Sequence, residues 1–149
     1  VLKMLQDLNA ALAEIPLTQA MGLQAAQAGA EVVLAAGLAP NSNHKGTAFG
    51  GSLHSAAILA GWAWLWAYLR QSGQAGQIVI QKAQAEFILP VEAGFTAHCQ
   101  GASAKDLERL RAMLSRKGRG RVALACTVES AGKVCMRFEG EYVVVAKPA

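Results

Sequence analysis

Asn43 and His44 stand in a polar loop, Gly50 and Gly51 close it, and His54 follows in an uncharged run. The stretch reads Asn43-His44-Lys45-Gly46-Thr47-Ala48-Phe49-Gly50-Gly51-Ser52-Leu53. The first turn of a helix carries unpaired N–H groups and the positive end of the helix dipole. Glycines there remove the side chains that would keep a ligand away. Such a terminus can hold a phosphate, a carboxylate or the carbonyl oxygen of a reacting acyl group. A flexible turn into a core helix would use the same two glycines. A proton acceptor would have to lie close by. His44 and His54 are the nearest imidazoles, and imidazole titrates in the range a general base needs. Gly50, Gly51, His44 and His54 are therefore the catalytic candidates, with Glu86 as a more distant acid. Thr47, Phe49, Ser52, Ser55 and Ile58 are the candidates for contact with a bound molecule.

Other chemistries fit less well. Gly46 to Ser52 (GTAFGGS) approaches a phosphate-binding loop but lacks its Lys at position 52, and it does not match G-x-G-x-x-G. His44, His54 and His98 have no metal-ligand spacing, and there is no H-E-x-x-H or paired cysteine motif, so no metal is expected. Ser55 stands in no nucleophile elbow or Ser-His-Asp order. Cys99, Cys126 and Cys135 are widely spaced in strand-like segments and read as buried small hydrophobes, with no disulfide framework.

The elements that must position these residues follow from periodicity. Leu2, Leu5, Leu8 and Leu12 recur at helical spacing, with Pro16 as the stop. Gly22 to Ala28 and Glu31 to Leu38 read as strands, the second the stronger. The Pro40-Asn41-Ser42-Asn43 cluster is a loop. From Gly46 to Leu69 there is no Lys, Arg, Asp or Glu. Leu53 to Leu69 is thus a helix apolar all round, which has to be buried on all sides. Its first half is small (Ala56, Ala57, Ala60, Gly61), which lets other backbone approach closely or leaves room for a ligand. Gln77 to Leu89 is a long strand broken by Pro90, and Phe95 to Gln100 another. Ser103 and Asp106 resemble a capping box opening a short helix with a Leu107, Leu110, Leu114 stripe. Val122, Leu124, Cys126 and Val128 alternate along a strand that pairs through Ser130-Ala131-Gly132-Lys133 with Val134 to Val145. Hairpin-joined strands and one fully apolar helix predict an α+β fold, a curved antiparallel sheet wrapped around a long central helix.

Size and composition bound the rest. A chain of 149 residues suggests one domain, residues 1–149, with a sizeable core. Hydrophobic residues make up 53% and charged residues 16%, which favours burial of a further face in a homodimer or higher homo-oligomer. The net charge of +4 suits an anionic ligand or partner but is too weak to argue for nucleic acid. The central run is long enough to raise a membrane span. It begins with Gly-Gly-Ser, carries His54 and Ser55, and is followed by strand patterns, so no span is expected. No signal peptide is visible and the cysteines suggest a reducing setting, so a cytoplasmic location is expected. The sequence opens on Val1 rather than Met, which leaves room for an upstream segment.

The loop, the glycine pair and the helix together resemble a hotdog-fold acyl-thioesterase. More narrowly, N-x-K-G-T-x-F-x-G-S-L with the Gly-Trp helix is similar to thioesterases of the YiiD C-terminal-domain type, over nearly the whole chain. The resemblance implies a hotdog fold and a dimer whose two sheets join into one. It also implies sites between subunits and acyl groups carried on coenzyme A or acyl carrier protein. No cofactor is implied beyond coenzyme A as part of the substrate. Better-characterised hotdog thioesterases have an Asn, then His-Gly-Gly six residues later. Asn43, Gly50 and Gly51 match, and only through this resemblance does Asn43 join the catalytic candidates, while Phe49 stands where the His is expected. The usual Asp base or nucleophile falls at Ile58, and a usual water-holding position falls at Ile80. The carbonyl-binding half of such a site is therefore present and the usual water-activating half is absent. Arg109, Arg111, Arg116, Lys117, Arg119 and Arg121 form a basic cluster. Arg116 and Lys117 in it are candidates for the coenzyme A phosphates or an acidic carrier protein. They equally suit a solvated helix end. The expected activity is hydrolysis of an acyl-CoA or acyl-carrier-protein thioester; the alternative, favoured by Ile58 and Ile80, is a non-catalytic acyl-thioester binding module.

Overall fold

The computed structural model describes residues 2–147. Its elements run α1 (Leu2–Ala13), α2 (Pro16–Met21), β1 (Gln24–Ala28), β2 (Val32–Ala36), a 3-10 turn (Ala39–Asn41) and α3 (Gly50–Gln71). Then come β3 (Gly76–Phe87), β4 (Phe95–Cys99), α4 (Ala104–Lys117), β5 (Arg119–Ser130) and β6 (Lys133–Ala146). The six strands form one antiparallel sheet in the order β1-β2-β4-β5-β6-β3. The long helix α3 packs against β2, β3, β4, β5 and β6, with α1 closing another side. This is the hotdog arrangement expected of an apolar helix among hairpins.

The alternation in β5 buries Val122, Leu124, Cys126 and Val128 toward α3, and the strand turns into β6 through Ala131 and Gly132. Ser103 caps α4 as its sequence suggests, its Oγ accepting from the Asp106 N–H at 3.1 Å. Leu110 and Leu114 of that helix are buried; Leu107 only packs against the core's rim.

Four expectations need correcting. Helix α1 does end before Pro16, at Ala13, but Pro16 also opens a second helix, α2, where a missing N–H costs nothing. The loop before α3 contains a 3-10 turn at Ala39–Asn41. The strand before Pro90 stops at Phe87, although the Ile88 and Leu89 N–H groups still reach the Cys135 carbonyl. Helix α3 is also not covered all round. Ser55, Ile58, Leu59, Trp62 and Trp66 are only half-buried and lie on one face. Its small residues face the sheet and are filled: Ala56, Ala57 and Ala60 are 0% exposed. A Cβ on Gly61 would stand 2.6 Å from Tyr142 Cζ, so this glycine is the notch that admits the tyrosine. Tyr142 donates to the Ile58 carbonyl at 2.7 Å, and burial pushes its phenol up, keeping it a neutral donor.

Candidate functional site

The helix start is built by the loop before it. Phe49 is the N-cap of α3, with φ −62° and ψ 132°, and it offers no side-chain oxygen to the first turn. Its own N–H donates to the Asn41 carbonyl at 2.7 Å, and the Ala48 N–H donates to the Val91 carbonyl at 2.8 Å. These two bonds tie the entry to Asn41, the buried end of the 3-10 turn, and to the segment after β3. The Ser52 and Leu53 N–H groups return to the Phe49 carbonyl. Among the described residues no acceptor meets the N–H of Gly50 or Gly51. Two backbone donors at the positive end of a 22-residue helix are thus left free.

Two aromatic rings flank these donors. The Phe49 ring lies over Gly51, and the Phe87 ring lies beside Gly50, Cε2 3.5 Å from where a Cβ would be. Both are largely exposed, at 58% and 53%. Apolar Ile88 and Leu89 are also exposed at this end of β3.

Asn43 sits close by but its amide works within its own loop. Its Oδ1 accepts from the Lys45 N–H at 2.8 Å and the Thr47 N–H at 3.2 Å, and its Nδ2 donates to Thr47 Oγ1 at 2.8 Å. Thr47 is thereby a loop partner of Asn43. Sequence reasoning passed over Asn41, which is 2% exposed and donates to the carbonyls of Met21 and Gly37. Nothing in the Pro40-Asn41-Ser42-Asn43 run sets Asn41 apart as an anchor, because its burial comes from tertiary packing.

The two histidines separate. His44 is exposed at the tip of the 43–47 turn. His54 stands one helical turn beyond Gly50, half-buried, its ring edge-on to Phe138 at 5.6 Å. Its Nε2 is buried and has no protein hydrogen-bond partner among the described residues. Ser52 and Ser55 are half-buried beside it, and Ser55 and Ile58 begin the half-covered face of α3. Ile80 packs against the core from β3. Glu86 is exposed on β3, opposite Arg137 and next in the chain to Phe87.

Arg116 and Lys117 are not brought to the helix start of the same chain. They end α4, next to the start of β5, where Arg119 pairs with Val145. Val145 in turn pairs with Gln77 at the beginning of β3, whereas Phe87 at the other end of β3 meets Gly50. The 12 residues of β3 separate the two places by roughly 35 Å of strand. No group of three or more His, Cys, Asp or Glu among the described residues could hold a metal ion. No helix there is long and apolar enough to cross a membrane.

Residues 5–146 match the family model described as "Putative thioesterase (yiiD_Cterm)". Among solved structures, the chain is similar to a Chlorobaculum tepidum protein described as of unknown function. It is 27% identical at TM-score 0.91, covering 95% of this chain and 94% of that one. A "putative thioesterase from Shewanella oneidensis" is 26% identical at TM-score 0.88, with 97% and 99% covered. A thioesterase of Haemophilus influenzae shares the fold at TM-score 0.73 and 14% identity, with 95% and 90% covered.

Proposed function

The chain belongs to the thioesterase family of the YiiD C-terminal-domain type, and on that premise we propose that it hydrolyses an acyl thioester of coenzyme A or of an acyl carrier protein, at a site completed by a second copy. The observation that carries this reading is the pair of free N–H groups at Gly50 and Gly51. A thioester carbonyl oxygen placed there gains negative charge when water attacks. Fixed donors and a helix dipole stabilise that charge without having to reorganise. Phe49 and Phe87 would hold the thioester between their rings. Ser52 and Thr47 border it, and the acyl group would start along Ser55 and Ile58.

The water needs a base, and this reading gives that role to His54. Its buried Nε2 has no protein partner, so a water there would be its natural one, a turn from the carbonyl site. The proton would pass from that water to Nε2 as the hydroxide adds to the carbonyl carbon, and then on to the departing thiolate. Asn43 would act by holding the loop that presents the diglycine.

The second copy is argued from β3. Among the described residues its outer edge has no strand neighbour, and a strand edge left open this way is a template for pairing. Antiparallel joining of two β3 edges would set the Gly76 end of one copy beside the Phe87 end of the other. Arg116 and Lys117 of the second copy would then lie on the side of this copy's Gly50, placed for phosphates or an acidic carrier surface.

A second reading, a non-catalytic binding module, is favoured by Ile58 and Ile80 where a carboxylate and a polar residue would be expected. Thiol release from a range of acyl-CoA thioesters separates the two: hydrolysis supports the enzyme, and binding without release supports the module.

A further inference from the structure

Cys99 and Cys126 stand directly opposite each other on the neighbouring strands β4 and β5. Both face the helix side of the sheet and are buried, at 0% and 3% exposure. Opposed residues of an antiparallel pair have α-carbons ~4.5–5.5 Å apart. That lies inside the ~4.4–6.8 Å a disulfide spans. Paired in this way, the two thiols act on each other, and the interaction pulls their acidities apart. Donation from Cys126, helped by backbone at Gly101, holds the Cys99 thiol below its usual range. The same interaction, with burial, pushes the Cys126 thiol up. One sulfur is thus the readier thiolate and the other its protonated neighbour. Cys135 lies elsewhere, in β6, its thiol directed to the Lys133 carbonyl at 3.5 Å.

We propose that Cys99 and Cys126 form a modification site, a reversible disulfide made when the protein meets a hydroperoxide. The Cys99 thiolate attacks a peroxide oxygen, the O–O bond breaks, and the departing hydroxide takes a proton to leave as water. The Cys99 sulfenic acid that results is attacked by the Cys126 sulfur. The S–S bond forms, the S–O bond breaks, and the hydroxide leaves as water with the Cys126 proton. Two thiols lose two electrons and one hydrogen peroxide becomes two waters, so nothing further is needed. Access comes from the strand end. Cys99 is the last residue of β4, and the chain from Gln100 to Ser103 has no regular structure. A local opening there uncovers Cys99 while β5 stays paired on its other side with β6.

The test treats the native, reduced full chain with hydrogen peroxide and follows intact mass and non-reducing peptide maps. The expected result is a loss of about 2 Da per chain, as two thiols become one disulfide. The link joins Cys99 to Cys126, leaves Cys135 open to alkylation after unfolding, and reverses with dithiothreitol. In Cys126→Ser the sulfenic acid at Cys99 has no resolving thiol, so dimedone labels Cys99. The proposal is overturned if the native chain keeps its mass while the urea-unfolded chain oxidises, if the link includes Cys135, or if dimedone labels nothing at Cys99 in Cys126→Ser.

Discussion

The Phe49 ring lies across the α-carbon of Gly51: a Cβ built there would stand 2.9 Å from Phe49 Cζ. At Gly50 the nearest atom to such a Cβ is Phe87 Cε2 at 3.5 Å, an ordinary contact. The two glycines are therefore not equivalent. Gly51→Val displaces the ring and fills the space in front of the free N–H groups. Its turnover should fall by at least the ~10²–10³ that loss of one such donor costs, and thioester binding should be lost with it. Gly50→Ala should keep both within a few-fold. Steady-state hydrolysis and equilibrium binding on the two variants check this.

Asn43 holds three hydrogen bonds within its own turn. Asn43→Ala should lower stability by about 1–3 kcal/mol, allowing about 0.5–1.5 kcal/mol net for each bond and partial replacement by water. Turnover should drop with it as the diglycine loses its fixed approach. Asn43→Asp retains the Oδ1 acceptor for Lys45 and Thr47 and should recover most of the stability in a urea melt.

Gly61→Ala puts a methyl where the Tyr142 ring and hydroxyl stand. Overpacking in a filled core costs about 1–3 kcal/mol, and displacing Tyr142 also breaks its bond to the Ile58 carbonyl. A clear loss in chemical denaturation is expected, and Gly61→Ala combined with Tyr142→Phe should not restore wild-type stability, because the ring itself still collides.

How much of this was legible in the sequence depended on the range of the interaction. The apolar run before Leu69, the alternation from Val122 to Val128 and the Ala131-Gly132 turn are local patterns, and each produced its element. Pro16 was read only as a stop; one proline can follow one helix and open the next, and the packing of α2 decides that it does both. Gly61 left two readings open, close packing or room for a ligand; its occupant, Tyr142, is far along the chain and arrives only through β6. Arg116 and Lys117 could be recognised as basic but not located, since their distance from Gly50 is set by the strand order. Asn43 was legible as a loop residue at the site, yet its side-chain partners come from turn geometry that composition does not reveal.

The shared site makes a joint prediction for assembly and charge. Light scattering should give about twice the 15.6 kDa chain mass. Arg116→Ala with Lys117→Ala should keep that mass, weaken coenzyme A binding and flatten its salt dependence, as expected when two phosphate-facing cations are removed. A chain that scatters as a monomer at micromolar concentration, or a variant whose affinity is unchanged at low salt, returns the cluster to a solvated helix end.

The central claim is that the Gly50–Gly51 terminus and His54 together hydrolyse a thioester. Thiol release from acyl-CoA thioesters of graded chain length, compared between wild type, His54→Ala and His44→Ala, tests it most directly. The account predicts release by wild type, a fall of ~10²–10⁴-fold in His54→Ala, as for loss of a general base, and a rate close to wild type in His44→Ala. Wild type that binds these thioesters and releases no thiol, or a His54→Ala variant that keeps the full rate, would contradict it.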